Sequence, residues 1–210
     1  MESVMLEIAG LFLSVNGLIC VILTCTLPLW KVPAFQGASI LTAQQTMEGL
    51  WMDCMWQSTG ELVCNTFDSM LILSQELQLA RALTTTAGVL GALGILVSIV
   101  GASWTKLVKS VPCKGRLISA AGFIFTVTGI LQLVPVACYA RNIIRDFHSV
   151  SIPDAVKREL GPSLYIGMVA GVLFIAASGL LWSSCYRSRT QTTPTRYARG
   201  QAVYSESHYV

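Results

Sequence analysis

Charge is what this chain has least of. Only 12% of its 210 residues are Asp, Glu, Lys or Arg, while 53% are hydrophobic; a soluble domain carries about 25% charge. Mean hydropathy is +0.62. That balance excludes an ordinary water-soluble domain and points to a bilayer as solvent. Histidine is equally scarce, at 2 residues. No HExxH, CxxC pair or Cys/His cluster occurs, so neither a metal nor a cofactor is expected. No nucleophile–base pair or carboxylate dyad stands out where water could be excluded, which argues against an enzyme. Nor does any basic residue precede the first apolar run, where Glu2 and Glu7 are the early charges. No A-x-A site follows that run, so it reads as a membrane span and not a cleaved leader.

What is present is four uncharged runs, at 8–29, 82–102, 117–140 and 164–182. Each approaches or exceeds the ~20 residues needed to cross a bilayer as helix. The segment 103–116 between the second and third carries Lys106, Lys109, Lys114 and Arg116 and no acid; the tail 183–210 carries Arg187, Arg189, Arg196 and Arg199 against Glu206. The positive-inside rule sends both to the cytoplasm, with the short N-terminus 1–7. The loops 30–81 and 141–163 are then extracellular. Gly88, Gly91, Gly94, Ser98 and Gly101 recur on one face of the second span, a pattern that lets helix backbones approach. Gly167, Ala170 and Gly171 do the same in the fourth, and tight packing within one monomer is the expected use. Pro135 should bend the third span. Asn16 and Gln132 are the main polar side chains at depth and are expected to bond neighbouring helices. No ionisable group lies mid-membrane, which argues against transport through the bundle.

Of 7 cysteines, Cys54 and Cys64 alone lie in a long polar stretch with nothing basic nearby. An isolated pair of that kind reads as a disulfide in an oxidising compartment, in agreement with the charge argument. Short β-prone pieces at 32–35, 39–43, 50–55 and 62–67 alternate with turn residues, and 58–60 reads as the turn between the last two. The cysteines flank that turn at a separation suited to a cross-strand bridge. Residues 69–73 read as a brief helix or turn beside the membrane.

Trp30, then Gly49-Leu50-Trp51, then Cys54 and Cys64, spell W…GLW-x2-C-x9-C, with Arg81 at the mouth of the second span. This resembles the signature of the claudins, the tetraspan proteins of tight junctions. Other tetraspan groups share the GLW-C-C part. Residues 142–147 (NIIRDF), residues 157–161 (KRELG) and the terminal Tyr209-Val210 extend the likeness across the whole chain. The resemblance implies a mainly α membrane protein: a left-handed four-helix transmembrane bundle bearing a small extracellular antiparallel sheet of about five strands. Four strands would come from the first loop and the fifth from 150–152. It also implies lateral assembly through Met70 and Phe147, which occupy the positions of a knob and its neighbouring Phe. The position after the second Cys often sets ion selectivity in the family. Here it is the neutral Asn65, with Asp53, Asp68, Glu48 and Lys31 as further candidate lining.

The likeness has gaps. Where relatives have Phe-Tyr-Asn-Pro, this chain has Phe147-His148-Ser149-Val150, so an adhesive tip and enterotoxin binding are not carried over. The site directly after the second span reads Ser103-Trp104-Thr105-Lys106, without cysteine, which leaves Cys185 as the acylation candidate, with Cys113 as a lesser one. Residues 187–210 are polar and expected to be disordered, and Tyr209-Val210 suits a PDZ groove. The reading is a plasma-membrane tight-junction protein. It polymerises into strands, adheres to the neighbouring cell's strands and limits paracellular leakage. A charge-selective paracellular channel is the alternative, with a regulatory tetraspan subunit behind it. Partners would be other claudins in cis and trans as homo- or hetero-oligomer, PDZ scaffolds and membrane lipid, and no nucleic acid.

Overall fold

The computed structural model describes residues 2–33, 45–57, 60–66, 74–103, 105, 111–148 and 158–206, the side chains of 2, 45, 111, 112, 146, 148, 158 and 188–206 apart. Its elements follow the uncharged runs. Helix α1 (Glu2–Thr26) leads to strands β1 (Lys31–Pro33), β2 (Gln45–Glu48), β3 (Met52–Trp56) and β4 (Leu62–Thr66). Helices α2 (Gln75–Gly101) and α3 (Val111–His148), strand β5 (Arg158–Leu160) and helix α4 (Pro162–Glu206) complete the chain. Four helical segments, Ser3–Thr26, Gln75–Gly101, Cys113–Arg145 and Pro162–Arg187, are long and apolar enough to cross a membrane.

The helix ends depart from the uncharged runs for local reasons. Helix α1 stops at Thr26 and not at 29, because Pro28 disfavours helix in the residue before it and offers no N–H. Helix α3 runs past 140 to His148, so residues 142–147 are helix and not loop. Ile143, only 3% exposed, holds that extension by packing into the cluster around Trp30 and Tyr139. At a rise of 1.5 Å per residue, 38 residues of α3 reach about 57 Å, well beyond a bilayer core. Pro162 opens α4 at a position where its missing N–H costs no bond. The α4 backbone continues as helix to Glu206, through the segment expected to be disordered. Elongation from a formed helix needs no new nucleus.

Beyond one end of the bundle the strands form a single antiparallel sheet in the order β4-β3-β2-β1-β5. Three of the four first-loop strands fall close to the expected positions. The second lies at Gln45–Glu48, and the expected 39–43 lies outside the described residues. Residue 50 leaves the third strand because Gly49 N donates to Met52 O and turns the chain there. The fifth strand is Arg158–Leu160, whereas 150–152 lies outside the described residues. Its position follows from the next helix: Gly161 N donates to Trp30 O and Ser163 N to Leu29 O, which docks the start of α4 beside β1. Between β3 and β4, Gly60 adopts φ 82°, and Gly60 N donates to Gln57 O, closing the expected turn.

The core has two apolar clusters. One, deep in the bundle, contains Val21, Ile118, Phe125, Ala170, Phe174 and Leu181. The other lies under the sheet and contains Trp30, Leu50, Leu77, Val136, Tyr139 and Leu164. The small residues of α2 serve the first. A methyl at Gly94 would stand 2.6 Å from the Phe125 ring, and one at Gly91 would stand 2.9 Å from the Phe174 ring. The stripe is therefore spent on packing within one monomer, as expected. The deep polar side chains behave differently. Asn16 donates to Phe12 O at 2.8 Å in its own helix, not to a neighbour, because the carbonyl one turn back is within reach of so short a side chain. Gln132 is fully buried, and neither polar atom of its side chain bonds any group among the described residues.

Candidate functional site

The W…GLW…C-C pattern assembles into the seat that fixes the sheet to the bundle. Trp30 is fully buried between them. Its indole Nε1 donates to Thr24 O at 2.8 Å, in the last turn of α1, and its ring meets Tyr139 edge-on at 5.3 Å. Gly49 lets the β2–β3 corner lie against Pro28, since any Cβ there would collide with the Pro28 Cα. Leu50 is buried in the cluster under the sheet, and its carbonyl accepts from Arg81 Nε at 2.5 Å. The Arg81 guanidinium also lies 5.0 Å from the centre of the Trp51 ring, a cation–π arrangement. Trp51, partly exposed, donates from Nε1 to Cys25 Sγ at 3.3 Å. A buried guanidinium needs such partners, because an uncompensated charge there would be strongly destabilising.

Cys54 and Cys64 are bonded, opposite each other on β3 and β4, with Cα atoms 4.0 Å apart. The candidate lining residues fall into one line. Across the sheet, Asn65 faces Asp53, Asp53 faces Glu48, and Glu48 faces Lys31. Directly opposed residues share a face, so four candidates scattered over the sequence make one cross-strand row. Lys31 Nζ is 3.7 Å from Glu48 Oε2 and 4.9 Å from the Tyr139 ring centre. Burial pushes the Asp53 carboxyl above its ordinary 3.8, and the charges of Arg81 and Lys31 pull it partly back. The row's two acids therefore meet two bases, and its edge residue is neutral.

Phe147 sits half-buried on the projecting end of α3. Cys185 is half-buried with Sγ 3.6 Å from Gly115 O, while Cys113 is exposed. Met70, Asp68, Tyr209 and Val210 lie outside the described residues.

A second polar assembly, at the opposite end of the bundle, was not anticipated. Glu7, 7% exposed, accepts from Ser103 N at 2.9 Å, Ser103 Oγ at 2.7 Å and Ser184 Oγ at 3.3 Å. Ser184 Oγ also lies 3.0 Å from Ser3 O, so its one proton is shared between that carbonyl and Glu7. Lys114 Nζ donates to Ala102 O, Ser103 O and Thr105 O, satisfying carbonyls at the end of α2. This clasp ties α1, the α2–α3 connection and α4 together. The only sequence signal for it was an acid abutting an uncharged run.

Four membrane helices with a cystine-pinned sheet at one end define a multi-pass tetraspan protein. Residues 4–182 match the PMP-22/EMP/MP20/Claudin family. Claudin-3 of Rattus norvegicus is 46% identical over 194 residues, covering 92% of this chain and 88% of that protein. Claudin-6 of Homo sapiens is 40% identical over 220 residues and covers 100% of both chains. Claudin-4 of Homo sapiens is 39% identical over 210 residues, again covering 100% of both. The chain belongs to the claudin family, whose members are structural proteins of tight junctions and not enzymes.

Proposed function

We propose that this claudin builds a paracellular barrier with little charge preference, its sheet outside the cell and both termini in the cytoplasm. The observation that carries the barrier reading is the compensated row Lys31–Glu48–Asp53–Asn65. A wall steers ions by its summed potential. Here Lys31 pairs with Glu48, Arg81 opposes Asp53, and Asn65 at the edge strand is neutral. The orientation reading is supported by Lys114 and Arg116, at the bundle end opposite the sheet and near Glu7 and Cys185, and by the basic tail that follows α4.

Assembly is read as lateral polymerisation through Phe147 and Met70, with strands of adjacent cells meeting sheet to sheet. Tyr209-Val210 ends a helix-led tail within reach of PDZ scaffolds, and Cys185 beside the membrane is the acylation site. The test is expression in strandless fibroblasts and in an epithelial monolayer. Freeze-fracture strands, raised transepithelial resistance and a dilution potential near zero are expected. Absence of strands overturns the assembly reading. Strands with a large dilution potential overturn the uncharged-barrier reading alone.

A further inference from the structure

Between the two apolar clusters the core carries a polar layer. Thr24, Thr84, Thr128 and Gln132 come from three helices, and each is 0% exposed. Two are satisfied locally: Thr24 Oγ1 donates to Cys20 O and Thr128 Oγ1 to Ile124 O, both at 2.8 Å. The other two are not. Thr84 Oγ1 and both Nε2 and Oε1 of Gln132 have no bonding partner among the described residues. An amide and a hydroxyl shut away from water without partners are costly, and natural cores rarely keep them so.

The α2–α3 register places these groups near Pro135. Pro135 lies inside α3 and has no N–H to give to the Leu131 carbonyl. Helices α2 and α3 run antiparallel, with Gly101 against Leu117 and Ile118, Gly94 against Phe125, and Gly91 against Thr128. Continued toward the sheet, that pairing brings Thr84 level with Pro135 and within about one turn of Gln132. On α4 the facing residue is Gly167, where a Cβ would stand 3.2 Å from Gln132 Nε2. Glycine withholds the methyl that would press on the amide.

We propose that Gln132 and Thr84 bind an internal water beside the Leu131 carbonyl, to which Pro135 has no N–H to donate. Water alone among small ligands can accept from Nε2 or Oγ1 while donating to Oε1 and the Leu131 carbonyl, and buried waters typically make 2–4 such bonds. A lipid hydroxyl does not fit, because Gln132 exposes no surface to the bilayer. The site lies one helical turn below Arg81, the buried guanidinium beneath the sheet. That places it on a polar column reaching to the sheet end. The water would join α2 to α3 at the level where glycine-against-ring packing ends.

The test uses the full chain in lipid nanodiscs. Water-edited NMR of the wild type should show cross-peaks from the Gln132 side-chain amide to a long-lived water; their absence overturns the proposal. Thermal unfolding of Gln132→Leu, Thr84→Val and the double variant gives a second readout. Each single change should lower Tm by roughly 2–4 °C, the shift expected for loss of one hydrogen-bonded group in a chain of this size. The double variant should fall by less than the sum, because both act on one water. A rise in Tm for Gln132→Leu, or strict additivity, overturns the proposal. The wild-type spectrum decides the matter even where a variant does not fold.

Discussion

The sheet end and the middle of the bundle are held together by opposite means. Under the sheet the links are directional: a cystine, an indole donating to Thr24 O, and a guanidinium donating to Leu50 O. In the bundle the links are shape: Phe125 and Phe174, 5.7 Å apart, fill the hollows left by Gly94 and Gly91. The division follows from the solvent. Lipid is as apolar as leucine, so helices gain nothing by hiding apolar surface from it and must gain from close fit. Phe12 at 67% and Phe123 at 63% exposure lie comfortably on the lipid face for the same reason. The five-stranded sheet meets water, yet its strands have 3 to 5 residues each, too few for a core of its own. It borrows one from the bundle and pins the rest.

If that contrast is right, the largest effects should come from the pins. Cys54→Ser and Cys64→Ser should each remove strand formation and junctional enrichment, and by the same amount. Loss of a native disulfide from a small unit costs about 2–5 kcal/mol. Unequal phenotypes would mean the two thiols act separately. Trp30→Ala should be nearly as severe, about 3–5 kcal/mol, since it empties the joint between sheet and bundle. Here the sheet should be lost while the helices remain. Far-ultraviolet circular dichroism in detergent should therefore keep its helical signal while antibodies to the folded sheet stop binding. Parallel loss of both signals would show that sheet and bundle fold as one unit.

The next effect tests the fitted middle. Gly94→Leu drives a side chain into Phe125, whose ring is 2.6 Å from the position of the first added carbon. Overpacking of this kind costs about 1–3 kcal/mol. Gly179→Leu on α4 is the matched control, because nothing lies within 4 Å of its added carbon. Tm in detergent should fall for the first and hold for the second. A fall for both would mean that Gly179 faces another protein in the assembled strand.

The two regions also differed in how well the sequence announced them. The spans were legible because a missing charge is visible without any partner. The disulfide was legible because Cys54 and Cys64 stand alone in a polar stretch. Trp30 and Arg81 could be picked out by resemblance, but their bonds could not, since Arg81 meets a carbonyl 31 residues away. Long-range polar contacts were the blind spot. Glu7 binds Ser103 and Ser184 across separations of 96 and 177 residues, and no local pattern encodes such a pairing. The fifth strand was misplaced for the same reason, as its register is set by β1 and the start of α4. Asn16 erred the other way, because its bond is local where a distant one was expected. The candidate lining was named residue by residue, but that Lys31, Glu48, Asp53 and Asn65 form one row required the strand register.

The smallest effect probes that row, where the sheet carries charge close to the bundle. Asp53 has its carboxyl held above 3.8, burial outweighing the attraction of Arg81 and Lys31. The folded state then binds the proton more tightly than the unfolded chain does. Its contribution to stability is complete below 3.8 and is lost as pH rises through the folded-state value. Between neutral pH and about 4 the wild type should therefore gain stability from this group on acidification, and Asp53→Asn should remove that gain. Lys31→Gln takes away one of the two lowering charges and should widen the pH window upward. It should also remove a positive charge from the row, shifting the monolayer dilution potential toward cations while strands still form. The unfolding midpoint of the three proteins in nanodiscs, followed from pH 7 to 4, separates the cases. A wild type that loses stability from pH 7 to 4, with Asp53→Asn relieving that loss, would show that Asp53 is held mainly by its basic neighbours. The sheet would then be joined to the bundle by an ion pair besides its cystine, indole and guanidinium links, which would sharpen its contrast with the shape-fitted bundle.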